Sequence, residues 1–365
     1  MYRVLAIFGA LALMAPSPAA SQVDIPNRAA NRPDEVAWRF FIDVTKPAAT
    51  ADNNNVVFEN WASNNDTFRA TPPPAFPLQA SPKILVVPAL LEFAPGPQPH
   101  VLSLGKEETR RNKAAFDFIV NNHLNTKSGL KAAFAAGNDI SFPMDAIELK
   151  ANWVPAESVS DPSQFHVNVS DGKRYALLSM HIISKTVPNW TWATFEHQTN
   201  AGRCDYTGCR DAFGAVVPLV PAQVSTRGQY PPCEKSVVLR GLMADAGLAA
   251  AFLNYCLKGT QVDFVTATGV PTLLGNSVTE EGFTSTSSCM TCHARASTDA
   301  HGGNPQRAGF LDPPLPGVCP PEGRCSPSGA PNPAWFWENI GGPDQRRKTL
   351  PTDFVWSIPL RTTAP

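Results

Sequence analysis

Apolar residues recur at helical spacing in three stretches of the chain. Residues 34–44 place Val36, Ala37, Phe40, Phe41 and Val44 on one stripe, and Pro47 stops it. Residues 107–123 read as a helix through Ala114, Ala115, Phe118 and Ile119, and residues 237–257 through Leu239, Leu242, Met243 and Leu253. Elsewhere the period shortens to two. Ile147-Glu148-Leu149-Lys150-Ala151 alternates as a half-buried strand, and residues 262–267 and 353–358 also read as strands. Residues 175–183 and 190–197 form two further strands, and the turn chemistry of residues 185–189 joins them as a hairpin.

Side-chain alternation gives that hairpin two distinct faces. Met180 points with Leu178 and Ile182, while His181 points with Ser179 and Ile183. A hairpin centred on Asn189 sets His181 opposite His197, and a centre half a residue earlier sets Met180 there. One step of register changes the answer, so both pairings stay open.

Composition narrows the architecture. Proline makes up 36 of 365 residues, and with 24 glycines it interrupts nearly every periodic stretch. That pattern favours an α+β fold of antiparallel strands and hairpins with a few helices and many loops, not a helical bundle. Residues 71–77 and 313–333 read as proline-rich loops, and no internal repeat is visible. The formal net charge of −1 points to no nucleic acid or anionic membrane as partner.

The N-terminus reads as an export signal. Arg3 precedes an apolar stretch over residues 4–15, and Ser17-Pro18-Ala19-Ala20-Ser21 offers small residues for cleavage near Ala19 or Ser21. No later stretch reaches about eighteen apolar residues, so no transmembrane segment is expected. The mature chain, 22–365, is then expected to be one large domain in the periplasm.

Within that frame, Cys289-Met290-Thr291-Cys292-His293 carries the chemistry. It is the C-x-x-C-H run of covalent haem c attachment. Positions i and i+3 are neighbours on a helical turn, which lets both sulfurs reach the vinyl groups of one porphyrin. His293 then offers its imidazole to the iron as proximal ligand, within a haem segment spanning about residues 260–310. A zinc knuckle needs a second short-spaced ligand pair, and none is present; the nearest further histidine is His301. A thioredoxin-like pair needs a βαβ setting, whereas Thr284-Ser285-Thr286-Ser287-Ser288 suits a loop and a helix N-cap. The other six cysteines fit an oxidising compartment, with local pairing of Cys204 to Cys209, Cys233 to Cys256 and Cys319 to Cys325 the first expectation.

The sixth ligand is not obvious. No methionine follows Met290, which itself should face away from the iron, so an ordinary class I cytochrome module is not expected. The distal position falls to His301, to upstream Met180, His181 or His197, or to water. Each has a plainer reading as well: Met180 as core, His181 and His197 as hydrogen-bonded structural residues, His301 as a loop residue beside Gly302-Gly303. Trp190, Trp192, Trp335 and Trp337 read as haem crevice or core. Glu148, Lys150 and Glu196 read as acid–base groups or solvated strand faces.

Ala146-Ile147-Glu148-Leu149-Lys150-Ala151-Asn152-Trp153, Trp192-Ala193-Thr194-Phe195-Glu196-His197 and Asp353-Phe354-Val355-Trp356-Ser357-Ile358-Pro359, together with the haem run, resemble segments of a broad group of bacterial cytochrome c family proteins. The resemblance runs from about Val36 to Leu360. It implies one haem c, export and a scaffold larger than a simple carrier, and it transfers no catalytic residue. Two functional classes follow. One is electron transfer by a six-coordinate haem working with a redox partner protein. The other is a haem-dependent oxidoreductase acting on a small-molecule substrate, or a gas or redox sensor, with an open distal site.

Overall fold

A seven-stranded antiparallel sheet organises the chain in this computed structural model, which describes residues 25–49, 55–72, 76, 106–216, 228–306, 308–312, 323, 325–341 and 344–362. Its strands are β1 (Ala62–Ser63), β2 (Lys106–Arg111), β3 (Ile147–Pro155), β4 (Val167–Ser170), β5 (Lys173–Ser184), β6 (Thr191–His197) and β7 (Tyr255–Gln261). They run in the order β1-β2-β3-β5-β6-β7, with β4 paired to the start of β5. Short helices lie around it, so the fold is α+β with antiparallel strands, as the pattern implies.

One sheet face is apolar. Leu149, Ala151, Met180, Ile182 and Phe195 pack beneath Trp38 and Phe41. Those two aromatics sit on α2 (Pro33–Thr45), which follows α1 (Ile25–Asn31). Pro33 opens α2 and Asp34 and Glu35 occupy its first turn, where acidic groups complement the helix dipole. Trp38 Nε1 donates to Asp211 Oδ2 at 2.8 Å, tying the helix to a loop after the hairpin. Burial lifts Asp211 from 3.8 to about 6, against the hydrogen bonds it accepts from Gly214 and Trp38. The folded chain therefore keeps a proton that the unfolded chain releases. Stability from this group is full below about pH 4 and declines by about 3 kcal/mol as the pH rises through 6. Urea midpoints at pH 4.5 and 7 should converge in Asp211→Asn; an unchanged pH slope would refute the assignment.

The opposite face carries the polar half of the alternation. A second apolar cluster beside it joins Ile183, Trp192, Leu274 and Met290 to Ala115 and Leu130. Ala115 lies on α4 (Lys113–Asn121) and Leu130 on α5 (Lys127–Ala136), which follow α3 (Asn64–Thr67) in the chain.

Several sequence expectations need correcting. The helix expected over 107–123 begins only at Lys113, where Asn112 caps it by accepting from Ala115 N at 3.1 Å. Its first part is instead β2, paired with β3. The charges of Glu107-Glu108-Thr109-Arg110-Arg111 are consumed in ion pairs, among them Glu108 with Arg110 and Arg111 with Glu148. The helix expected over 237–257 ends at Asp245 as α6 (Val237–Asp245), because Gly247 turns the chain at φ 67°. A 3₁₀ turn at Ala250–Asn254 then leads into β7, and the strand expected over 262–267 reduces to an isolated bridge from Val265 to Pro271. Residues 353–358 are not a strand: Asp353 and Phe354 adopt φ of 49° and 70°, and α8 (Ser357–Arg361) follows.

The hairpin exists, in neither of the expected registers. Met180 pairs with Phe195 and His181 with Thr194. Cys204–Cys209 and Cys233–Cys256 form disulfides, as local pairing predicts. Cys325 is disulfide-bonded, whereas Cys319 lies outside the described residues. The export signal expected over residues 1–21, and much of the proline-rich stretches 71–77 and 313–333, also lie outside them. Among the described residues no helix is long and apolar enough to cross a membrane.

Candidate functional site

The C-x-x-C-H run forms one helical turn, α7 (Cys289–His293), in the position the sequence gives it. Ser288 caps that turn, its Oγ accepting from Thr291 N at 3.4 Å. Gln261, the last residue of β7, fastens it to the sheet. Its Nε2 donates to Ser288 Oγ at 3.0 Å and its Oε1 accepts from Met290 N at 3.1 Å. Met290 is fully buried in the second apolar cluster, facing away from the cavity as expected. The turn therefore aims Cys289, Cys292 and His293 the other way.

All three line a cleft that encloses about 1040 Å³ of space, its mouth included. Neither Cys289 nor Cys292 takes part in a disulfide. The floor is the polar sheet face, where register aligns Thr109, Lys150, His181, Thr194 and Gly259 in one file across five strands. Ile183, Trp192, Phe283, Trp356 and Leu360 supply apolar wall. Glu107 and Lys150 pair at 3.1 Å on the cleft lining.

His293 is held in one orientation. Its Nδ1 lies 2.8 Å from the Phe354 carbonyl oxygen, an acceptor only, so Nδ1 carries the proton. Nε2 is then the nitrogen with the lone pair. The indole of Trp192 lies 4.7 Å from the imidazole, centre to centre. Burial and the nearby Lys150 charge bring His293 down to about 3, so it stays neutral, the form that ligates metal.

Of the four distal candidates, the structure brings His181 alone to the cleft. Met180 faces the opposite side of the sheet, fully buried against the α2 core. His197 is also on that side, stacked on Phe165 at 3.6 Å, with Nδ1 bonded to Thr199 and Nε2 to the Gln164 carbonyl. His301 is exposed in a turn after β8 (Ser297–Thr298), beside Asp299. These three are corrected by side-chain alternation and by loop placement.

His181 is fixed by Asn276. The Asn276 carbonyl oxygen accepts from Val278 N at 2.9 Å and Thr279 N at 2.6 Å, so its amide nitrogen is the group facing His181. That nitrogen donates to His181 Nε2 at 3.0 Å and to Thr194 Oγ1 at 3.2 Å. Burial, with the Lys150 charge adding to it, takes His181 down to about 3. A neutral ring accepting at Nε2 keeps its proton on Nδ1. Glu280 lies 3.5 Å from the same Nε2, and burial lifts its carboxyl to about 7 against the Asn276 N–H and the two nearby lysines.

Sequence reasoning did not single out Asn276, Glu280 or Phe354. Asn276 sits in Gly275-Asn276-Ser277, which reads only as a turn, and Phe354 contributes its backbone, which no residue pattern marks. Glu148 and Lys150 do line the cleft, and Glu196 lies fully buried beneath it, accepting from Ser277 N at 2.9 Å. Trp192 lines it as well, whereas Trp190, Trp335 and Trp337 do not.

The donor set fits a haem c. Two cysteines outside disulfides and a neutral imidazole with a fixed tautomer converge from one turn on a largely apolar cleft. Among the described residues no group of three His, Cys, Asp or Glu side chains is placed to hold a metal ion. Burial also pushes the Cys289 thiol well up, with the Glu280 charge adding to it, the reverse of what a redox nucleophile needs. No family model matches the chain, and neither a curated protein nor a solved structure does.

Proposed function

We propose that this chain is an exported, monohaem c-type cytochrome that transfers electrons, akin to the bacterial cytochrome c family proteins it resembles. One observation carries the reading: Cys289, Cys292 and His293 share a cleft whose imidazole is already fixed as a neutral Nε2 donor. Bound there through two thioethers, the haem supplies a one-electron redox couple. The protein's residues do the rest. Ser288 and Gln261 hold the attachment turn, Phe354 fixes the His293 tautomer, and Trp192, Phe283 and Trp356 keep the cleft wall apolar. Export to the periplasm follows from the signal-like N-terminus and agrees with the two disulfides. The redox partner is a protein or a small molecule.

The Asn276 contact favours the second reading of the distal side. With Nε2 committed to Asn276, the His181 ring has no lone pair for iron. It serves instead as a hydrogen-bonding wall residue, with Glu280 and Lys150 beside it as proton-handling groups. That arrangement suits an open distal site, in a haem-dependent oxidoreductase or a gas or redox sensor, better than a six-coordinate carrier.

Expression in a host with c-type maturation tests the proposal. One thioether-linked haem per chain, read by the pyridine haemochrome spectrum, is expected. Haem that is extracted by acidified organic solvent, or no haem at all, contradicts it.

A further inference from the structure

Among the described residues, Asp353 and Phe354 are the one place where two consecutive non-glycine residues both hold positive φ, at 49° and 70°. A left-handed phenylalanine is strained, and such strain persists only where surrounding contacts over-determine it. Those contacts are present. Asp353 Oδ2 accepts from Phe142 N at 2.8 Å, and Asp353 Oδ1 pairs with Lys185 Nζ at 2.7 Å. Lys185 also donates to the Pro188 carbonyl at 2.8 Å, so the anchor is the turn of the β5–β6 hairpin. Asp353 and Lys185 are both buried. On the flanks, Thr352 N donates to Ala296 O at 2.8 Å and Val355 N to Thr352 O at 3.0 Å.

The consequence of this strained turn is one hydrogen bond. It turns the Phe354 carbonyl onto His293 Nδ1. An acceptor on the far nitrogen fixes the tautomer of a metal-binding imidazole and raises its basicity. A more basic axial ligand stabilises the oxidised metal more than the reduced one, and so lowers the reduction potential.

We propose that Asp353, anchored by Lys185, is a positioning residue for the axial ligand: it holds the Phe354 carbonyl on His293 and thereby sets the reduction potential of the site. The inference rests on the haem reading given above. Without the Asp353 carboxylate, the left-handed turn has lost its lock and relaxes toward an ordinary conformation. The carbonyl then leaves Nδ1, the ligand weakens, and the potential rises.

Redox titration of Asp353→Ala tests this, beside Asp353→Asn and a control, Leu149→Ala. Leu149 is buried on the other sheet face, so its truncation leaves a cavity that destabilises the fold without touching this turn. Asp353→Ala is expected to shift the oxidised-to-reduced equilibrium about tenfold toward the reduced form, about 59 mV upward for one electron. Asp353→Asn keeps an acceptor for Phe142 N–H and should fall in between, while Leu149→Ala leaves the potential in place. An Asp353→Ala potential equal to that of the wild type overturns the proposal. A second arm uses haem-free wild-type protein with ¹⁵N-labelled histidine, where His293 should appear as the Nδ1–H tautomer. An Nε2–H tautomer there overturns the proposal whether or not haem attaches. A chain that takes up no haem yet shows the Nδ1–H tautomer defeats the haem reading and not the positioning role.

Discussion

Replacing both Cys289 and Cys292 with alanine should abolish covalent haem, leaving a folded chain with its disulfides intact. Each thiol sits on a turn whose fold does not depend on it. Gln261 and Ser288 hold the backbone of α7, and Thr291 Oγ1 donates to Gly329 O at 2.7 Å. The disulfides at Cys204–Cys209 and Cys233–Cys256 lie in other segments. The expected cost in stability is therefore that of two small side chains, roughly 1–3 kcal/mol together, while haem staining after denaturing electrophoresis falls to background. The single variants should each retain a haem linked through the remaining sulfur, with a visibly altered pyridine haemochrome band. Haem staining of the double variant at the wild-type level would place the attachment elsewhere.

The second large effect concerns the distal side. Ferrous wild-type protein should be high-spin and should bind carbon monoxide without delay, because the Asn276 contact occupies the His181 lone pair. His181→Ala should then keep the high-spin spectrum and release bound carbon monoxide about fivefold faster, the loss of one hydrogen bond of roughly 1 kcal/mol. A low-spin, carbon monoxide-inert wild type that turns high-spin in His181→Ala would reverse this, making His181 the sixth ligand and the protein a six-coordinate carrier. Either way the other three distal candidates are out of reach of the cleft: Met180 and His197 by strand alternation, His301 by its exposed turn.

Local chemistry was legible in the sequence wherever a residue's own neighbours decide its structure. The apolar stripe through Val36, Ala37, Phe40, Phe41 and Val44, with Pro47 as its stop, bounds α2 closely. Local pairing, the first expectation for the cysteines, matches Cys204–Cys209 and Cys233–Cys256, and the polar run before Cys289 supplies the Ser288 cap of α7. The hairpin is equally readable, since turn residues separate two alternating runs. Its register is not, because a bulge between Asn152 and Trp153 and the pairing with β3 and β7 fix it from outside.

Contacts remote in sequence were illegible for a related reason. β2 is a strand because β3 offers it an edge and its charges find buried partners, against the helical period of the same residues. At the site, Asn276 meets His181 and Phe354 meets His293 across long sequence separations. One uses a turn amide and the other a backbone carbonyl, and neither leaves a residue-type signature. Cys289, Cys292 and His293 could be read as one motif because a single helical turn contains them all. Their surroundings could not, because the sheet assembles them from distant strands.

Peptide mass spectrometry of protein matured in a host with the c-type attachment machinery tests the central claim most directly. The proteolytic fragment containing Cys289 and Cys292 should carry one tetrapyrrole bound through both sulfurs. Recovery of that fragment with both thiols open to alkylation and no tetrapyrrole adduct would contradict it.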